Sequence, residues 1–418
     1  MLREVEAGGR TLADRLAEAD VEQLAPRDRA FLHELVLGTL RLRGALDHAL
    51  APLLERQTLD ALQPALRTTL RMGAYQVLHL RVPDRAAVSE SVDVARETSP
   101  RAAGLVNAVL RRLARGGPAP APDPERDPLS WLTTAGSLPS WLAERWLQRL
   151  GAAVAVARAR ALLAPPPPVF RVNPRVPAAF AQAEAAGVRA RLLDVPGAFV
   201  ATEGRPFELA ARAIVYMQDQ GSQMVARLAE GGALTLDACA APGGKSTLLA
   251  DVNPPGSVVI AAEASARRVR TLGELVGRWG APGVRVVAAD GLRPPFRGEF
   301  DTVLIDAPCS GLGTLARHPD IRWRARPGDL PHHAARQARL LRSLAPLVRR
   351  GGTLVFATCS SEPEENEGVV EPFLESHPEF APGPAPAWTE RFREGPYYRT
   401  RPERDGGDAF FAVHLVRG

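Results

Sequence analysis

The sequence predicts an α/β protein in which a parallel sheet is covered by helices on both faces, preceded by a separate all-α domain. Three observations support this. In the C-terminal half, short apolar runs alternate with helical stretches, the pattern of strands joined by helical crossovers. In the first 115 residues, apolar positions recur every three or four residues with no strand-like alternation. Between these regions lie two proline-rich interruptions, which read as boundaries.

Residues 1–115 read as all helix, with Phe31, Leu32, Leu35, Val36 and Leu40 forming one apolar repeat. Pro26 and Pro64 mark helix starts, because a first-turn residue needs no backbone N–H partner. Residues 116–128, rich in Pro, Ala and Asp, form a linker. Residues 129–225 read as a helical connector followed by a small α+β subdomain. Trp131, Trp141 and Trp146 sit on apolar helix faces, the run Pro165 to Pro168 ends the connector, and β-like stretches follow at 169–172 and 214–217. The remaining domain, 226–418, has strand candidates at 234–240, 257–263, 284–290, 300–307, 352–358 and 409–415, with helical stretches between the first five. In open sheets of this kind ligands bind at the carboxyl ends of the strands, and the motifs discussed below all fall there.

Composition sets the outer limits. The chain has 418 residues, 45% hydrophobic and 24% charged, as in ordinary globular proteins. No apolar run reaches the roughly 18 to 20 residues of a membrane span, and residues 1–15 lack the apolar core of a signal peptide, so a cytoplasmic protein is expected. Three cysteines do not make a disulfide framework. The net charge of +5 is compatible with nucleic acid without being diagnostic. Two details are sharper. Lys245 is the only lysine among 52 basic residues, which suggests a site where the wide guanidinium fork does not fit. Residues 317–350 carry nine arginines against Asp320 and Asp329, a larger local excess than that of the whole chain. Arg317, Arg322, Arg324 and Arg326 in this stretch are candidates for a phosphate-facing surface.

The run Asp237-Ala238-Cys239-Ala240-Ala241-Pro242-Gly243-Gly244-Lys245-Ser246 ends the first strand of this domain and opens a helix. Its glycines allow close backbone approach and the helix start offers free N–H groups, which suits a nucleotide-like ligand. A phosphate loop is a competing reading of Gly244-Lys245-Ser246, but that motif needs glycine where Cys239 stands. A glycine-rich turn without a ligand is the plainer alternative. Glu263 ends the next strand, 20 residues after Gly243, the spacing at which an acid grips ribose hydroxyls. Asp290 ends the third strand and is a candidate partner for an adenine amino group.

Two further motifs carry cysteine: Asp306-Ala-Pro-Cys309-Ser-Gly311 and Thr358-Cys359-Ser360, after the fourth and fifth strands. A free cysteine is usually an inert core residue. Both of these lie where strands open into a site, near expected helix N-termini, a setting that lowers thiol pKa and makes nucleophiles. No paired-cysteine spacing suggests a metal, and none is expected.

Together these three motifs resemble the RNA cytosine-5 methyltransferases. His318-Pro-Asp320 followed by Trp323 fits the same family, as does Phe170-Arg171-Val-Asn-Pro174, which resembles the opening of its RNA-binding subdomain. The first 115 residues look like a NusB-type RNA-binding domain, and the whole chain resembles the NusB-fused Sun/RsmB family, which methylates small-subunit (16S) ribosomal RNA. The resemblance implies a Rossmann-like S-adenosylmethionine-dependent methyltransferase domain, a small α+β RNA-binding subdomain and an all-α NusB-like domain. It implies Cys359 as nucleophile, Cys309 as an aid to product release, and Asp306 near the reacting base. It also implies a cofactor site lined by Cys239 to Lys245, Glu263, Asp290 and Asp306, with Arg171 added to the RNA-facing candidates. The family often has Asp where Glu263 stands. A monomer acting on ribosomal RNA, with no metal and no membrane, is expected.

The proposed chemistry gives two thiols a purpose. Carbon 5 of cytosine is a poor nucleophile. A thiolate added to carbon 6 makes it enamine-like and able to attack a methyl sulfonium, and a carboxyl group near ring N3 stabilises the charge that builds there. Competing readings are a non-catalytic RNA-binding or ribosome-assembly factor on the same fold, a cytosine-5 methyltransferase for another RNA, and a nucleotide triphosphatase. The helical domain carries 17 arginines against 15 acids, so charge alone makes it no more than an interaction module. Its RNA-binding role rests on the resemblance.

Overall fold

The computed structural model describes residues 2–6, 11–16, 18–55 and 57–418. The chain divides into two compact units, Met1–Pro165 with Leu315–Ala325, and Pro166–Thr314 with Arg326–Gly418.

The first unit is helical. Pro26–Arg41 and Pro64–His79 both begin at the prolines that mark them in the sequence. With Arg43–Leu50, Asp84–Thr98 and Ala103–Gly116 they enclose a core of Leu46, Leu50, Leu70, Val106, Leu110 and Leu113, all fully buried. Phe31, expected in the apolar repeat, is instead 43% exposed. Helices Pro128–Thr133 and Ser140–Ala161 bury Trp131 and Trp146 and fold with this unit, so the connector beginning at 129 groups with the helical domain rather than with the small sheet.

The segment Leu315–Ala325 belongs to the same unit. Arg322 in it is fully buried, and its guanidinium donates to the carbonyls of Arg41 (3.3 Å), Ser137 (3.0 Å), Leu162 (3.3 Å) and Leu315 (3.2 Å). Trp323 Nε1 donates to Leu40 O at 2.7 Å, and the Arg43 guanidinium stacks 4.6 Å from the Trp323 ring centroid. Arg322 is therefore a structural cross-link, and its assignment to a phosphate-facing surface is corrected.

The second unit holds two sheets. The smaller consists of β1 (Val169–Val172), β2 (Arg189–Leu192), β3 (Phe199–Glu203) and β4 (Val215–Met217), in the antiparallel order β2-β3-β1-β4. The sequence reading found β1 and β4. It missed β2, whose residues are largely exposed and carry no apolar alternation, and its partner β3.

The larger sheet is built on β5 (Leu234–Asp237), β6 (Val258–Glu263), β7 (Val284–Ala288), β8 (Phe300–Asp306) and β9 (Val348–Thr358). These are parallel in the order β9-β8-β5-β6-β7. Strands β10 (Phe380–Pro382), β11 (Arg393–Glu394), β12 (Tyr397–Arg399) and β13 (Phe411–Arg417) extend it, with β13 antiparallel to β9. No helix joins β7 to β8. The connection over 289–299 contains Pro294 and Pro295, which lack the backbone donors a helix needs.

Side chains of β8 alternate between two cores, as a strand with both faces buried requires. Leu304 packs with Leu249, Val259, Leu272 and Val355, while Val303 and Ile305 pack with Leu236, Leu340, Leu344 and Phe356. The order of connection reverses at β5, between β6 and β8. A crevice at the carboxyl ends beside such a reversal is the usual binding position in this architecture. No helix among the described residues is long and apolar enough to cross a membrane.

Candidate active site

The loop after β5 enters helix Gly244–Val252 through Gly243, whose φ of 115° disfavours any side chain. A Cβ at Gly243 would also lie 2.7 Å from Leu272 Cδ1, and one at Gly244 2.9 Å from Tyr216 Cε1. The loop is held to its neighbours by Ala238 N–H to Leu304 O and Ala240 N–H to Ala262 O, each 2.9 Å. Asp237 is fully buried and accepts from Ser246 Oγ at 2.6 Å. Burial pushes its pKa up to about 6, against the pull of the Ser246 hydroxyl. Burial, then the charges of Asp237, Asp306 and Glu263, push the Cys239 thiol well above its ordinary range, so Cys239 forms part of the loop wall and stays protonated.

Glu263 ends β6, accepts from Ser265 N–H at 2.9 Å and pairs with Arg268 at 3.2 Å. Arg268 in turn donates to Ala241 O at 2.6 Å, tying the loop to the end of β6. Asp290 lies two residues beyond β7, exposed, with Oδ1 accepting from Leu292 N–H at 2.9 Å. An open glycine loop at a helix N-terminus, with acids following two neighbouring strands, suits a nucleoside: the backbone allows close approach and a carboxylate retains acceptor capacity for hydroxyls or an amino group.

The catalytic candidates converge at the ends of β8 and β9. Cys309 Sγ and Cys359 Sγ lie 3.2 Å apart, both half-buried and neither in a disulfide. The Cys359 sulfur, burial and the Glu365 carboxylate push the Cys309 thiol well above its ordinary range, so Cys309 stays protonated. Lys245 Nζ pairs with Asp306 Oδ2 at 2.6 Å and sits 5.3 Å from the Phe410 ring centroid. Burial acts to lower the Lys245 pKa, but Asp306, hydrogen-bonded to it, and Asp237 outweigh that, and the amine is held charged. Gly313 N–H donates to Cys359 O at 2.9 Å, and a Cβ at Gly313 would lie 2.7 Å from that oxygen, so glycine lets the two cysteine loops touch.

Arg171 is 3% exposed and does not face solvent. It donates to Asp251 (2.6 Å), Gln218 (2.8 Å), Thr247 (2.7 Å) and Gly244 O (3.2 Å), and stacks 4.4 Å from the Trp279 ring centroid. It fastens β1 to the helix Gly244–Val252, and its assignment to RNA is corrected. Of the other arginines proposed for RNA, Arg317 is half-buried, Arg324 pairs with Asp320 at 3.2 Å and Arg326 is exposed. Glu365, Gln337 and Asn366 carry no signal in the sequence that marks them as part of the site. Glu365 lies in an acidic run after Ser360 that looks like solvated surface but is fully buried. Among the described residues no cluster of three or more His, Cys, Asp or Glu is placed to hold a metal ion.

Residues 225–416 match the family model described as 16S rRNA methyltransferase RsmB/F, and residues 1–115 match the NusB family. The chain is 37% identical to ribosomal RNA small subunit methyltransferase B of Thermus thermophilus, covering 100% of this chain and 96% of that protein. It is 33% identical to the protein of the same name from Sodalis glossinidius, covering 94% and 91%. Among solved structures, that of PH0851 superposes with a TM-score of 0.79 at 26% identity, covering 100% of this chain and 97% of that one. With relatives this similar over nearly their full lengths, and with both of its domain matches falling on the regions just described, the chain belongs to the 16S rRNA methyltransferase RsmB/F family.

Proposed function

We propose that this methyltransferase transfers a methyl group to carbon 5 of a cytosine in small-subunit ribosomal RNA through a covalent adduct on Cys359. The observation that carries the reading is the 3.2 Å approach of two unbridged sulfur atoms supplied by separate strand ends. The cofactor is S-adenosylmethionine, which supplies an electrophilic methyl group. The loop Cys239 to Lys245 with Glu263 and Asp290 would hold it.

Cys359 Sγ, as thiolate, forms a bond to carbon 6. The displaced π electrons move toward ring N3, which takes up a proton delivered through the Asp306 carboxyl group from its hydrogen-bonded partner Lys245 and gives it back when the carbon 6–sulfur bond breaks. Carbon 5 would then bond to the methyl group as the bond from that methyl to the sulfonium sulfur breaks, its electron pair staying on the sulfur. The proton on carbon 5 is lost to a base, the carbon 6–sulfur bond breaks, and its electron pair returns to Cys359 Sγ. The Cys309 S–H, 3.2 Å away, meets the departing sulfur with a hydrogen bond. The NusB-like domain is proposed to contact the RNA, and the protein to work in the cytoplasm as a monomer.

Replacing Cys359 with alanine should abolish methyl transfer. The Cys309→Ala variant should remain bonded to RNA, visible as a slow band resistant to denaturant on a gel. Normal turnover by Cys309→Ala without such a band removes its assigned role. Methyl transfer by Cys359→Ala removes the mechanism, and failure of the wild type to bind S-adenosylmethionine by calorimetry would favour a non-catalytic assembly factor. Mapping 5-methylcytosine in ribosomal RNA from cells with and without the protein tests the substrate.

A further inference from the structure

Each cysteine of the pair is followed by a serine, and both serines reach the same carboxylate. Glu365 Oε2 accepts from Ser310 Oγ and from Ser360 Oγ, each at 2.5 Å. Glu365 Oε1 accepts from Ser310 N–H at 2.8 Å and from Gln337 Nε2 at 3.1 Å. Gln337 Nε2 also donates to Pro308 O at 3.0 Å, the residue before Cys309. The two serine hydroxyls are themselves 3.3 Å apart. Asn366, next in the chain, donates to Ser360 O at 3.0 Å and accepts from Thr358 Oγ1 at 2.6 Å, so the residues on both sides of Cys359 are held as well.

Glu365, Ser360 and Gln337 are almost completely buried, and no salt-bridge partner accompanies the carboxylate among the described residues. A buried carboxylate without a cation is costly unless hydrogen bonds satisfy it. Here four donors do so, and three of them belong to Ser310 and Ser360, each the residue after a cysteine. The separation of two sulfurs on separate loops depends on a link between the loops.

We propose that Glu365 is the positioning residue of the cysteine pair, fixing the Cys309 and Cys359 loops in register through Ser310 and Ser360. This rests on the reading of Cys359 as nucleophile and Cys309 as its release partner. Glu365 acts through its neighbours and does not touch the reacting base. Its carboxylate also contributes to holding the proton on Cys309.

Two measurements on the full-length protein test this. The first is independent of methyl transfer: the rate at which a diazene oxidant such as diamide joins Cys309 and Cys359. In that reaction the two thiols give up two protons and two electrons to the N=N bond, and the disulfide is read as a cross-linked peptide by mass spectrometry. The second is kcat for methyl transfer beside the affinity for S-adenosylmethionine. Glu365→Ala should slow cross-linking and lower kcat on the order of 100-fold, the scale expected when a reacting group is displaced by about 1 Å, with cofactor affinity unchanged. Glu365→Gln keeps the shape and can re-form the contacts, with its amide donating to the serine hydroxyls, and should restore most of both rates. The double variant Ser310→Ala with Ser360→Ala removes the same links and substitutes for Glu365→Ala if that protein does not fold.

Wild-type cross-linking rate and kcat in the alanine variants overturn the proposal, as does an equal loss in Glu365→Gln and Glu365→Ala. If cross-linking falls as expected but methyl transfer by the wild type does not need Cys359, the positioning role stands and the mechanism it rests on fails.

Discussion

Asp237 shows what burial does to one carboxyl group. It is fully buried at the end of β5, with Ser246 as its hydrogen-bond donor, and burial raises its pKa to about 6 from an ordinary 3.8. Because the folded value is the higher, the native state holds this proton more tightly than the unfolded chain does. The group's contribution to stability is therefore present in full below 3.8 and is lost as pH rises through about 6. Asp237→Asn keeps the shape and cannot ionise. Relative to wild type, it should gain roughly 1 kcal/mol of stability between pH 5 and pH 8. Denaturant unfolding at both pH values measures this, and a pH-independent difference between the two proteins contradicts it. Single residues also mark the limit of sequence reading. A formal charge does not say whether its side chain is solvated, so Arg171 and Arg322 looked like surface cations and Glu365 like part of an exposed acidic run. Lys245 stands out in the sequence as the only lysine, but its pairing with Asp306 needed the fold to bring two strand ends together.

At the scale of elements, the parallel strands were legible because strands buried on both faces must be continuously apolar, which gives short runs with clear ends. Strands β2, β11 and β12 were not, because they are short, polar or at an edge and their pairing is set by neighbours distant in sequence. The expected helix between β7 and β8 does not form, because Pro294-Pro295 removes the backbone donors it needs. The loop after β5 was legible as a strand-to-helix turn for a local reason, since Gly243 takes a φ of 115°. Gly243→Ala tests that reason. Alanine at φ 115° is strained, and its methyl group meets Leu272 at 2.7 Å. Left-handed backbone alone costs alanine about 1–2 kcal/mol, and the loop is expected to shift to relieve the contact. S-adenosylmethionine affinity by calorimetry should fall about tenfold or more, since about 1.4 kcal/mol is a factor of ten. Undiminished affinity would mean that the loop backbone does not line the cofactor.

At the scale of the whole molecule, the two compact units do not follow the linear order of the chain. The polypeptide leaves the methyltransferase unit after Thr314, five residues beyond Cys309, contributes Leu315–Ala325 to the helical unit and returns at Arg326. The helical unit is thus completed by a segment that the sequence places in the middle of the catalytic domain, and Arg322 is the residue that joins it. Burial lowers the pKa of this guanidinium, but its hydrogen bonds to four carbonyls compensate for the desolvation. Two of those carbonyls, on Ser137 and Leu162, lie in the region after the linker, and one, on Arg41, lies in the NusB-like region. Arg322→Ala would leave these oxygens without their donor and open a cavity, and should destabilise the protein by about 3 kcal/mol or more. Lysine should not rescue it, because one compact ammonium group cannot span carbonyls that the planar fork reaches from two nitrogens. Arg326→Ala, at an exposed arginine just past the segment, serves as the control and should change stability by less than about 0.5 kcal/mol. Hydrogen exchange should localise the Arg322→Ala loss to Pro26–Arg41 and Ser140–Ala161, the helices whose ends supply or adjoin the bonded carbonyls. Equal stability of the Arg322→Ala and Arg326→Ala proteins would show that the inserted segment is held by its apolar contacts and by Trp323 rather than by this arginine.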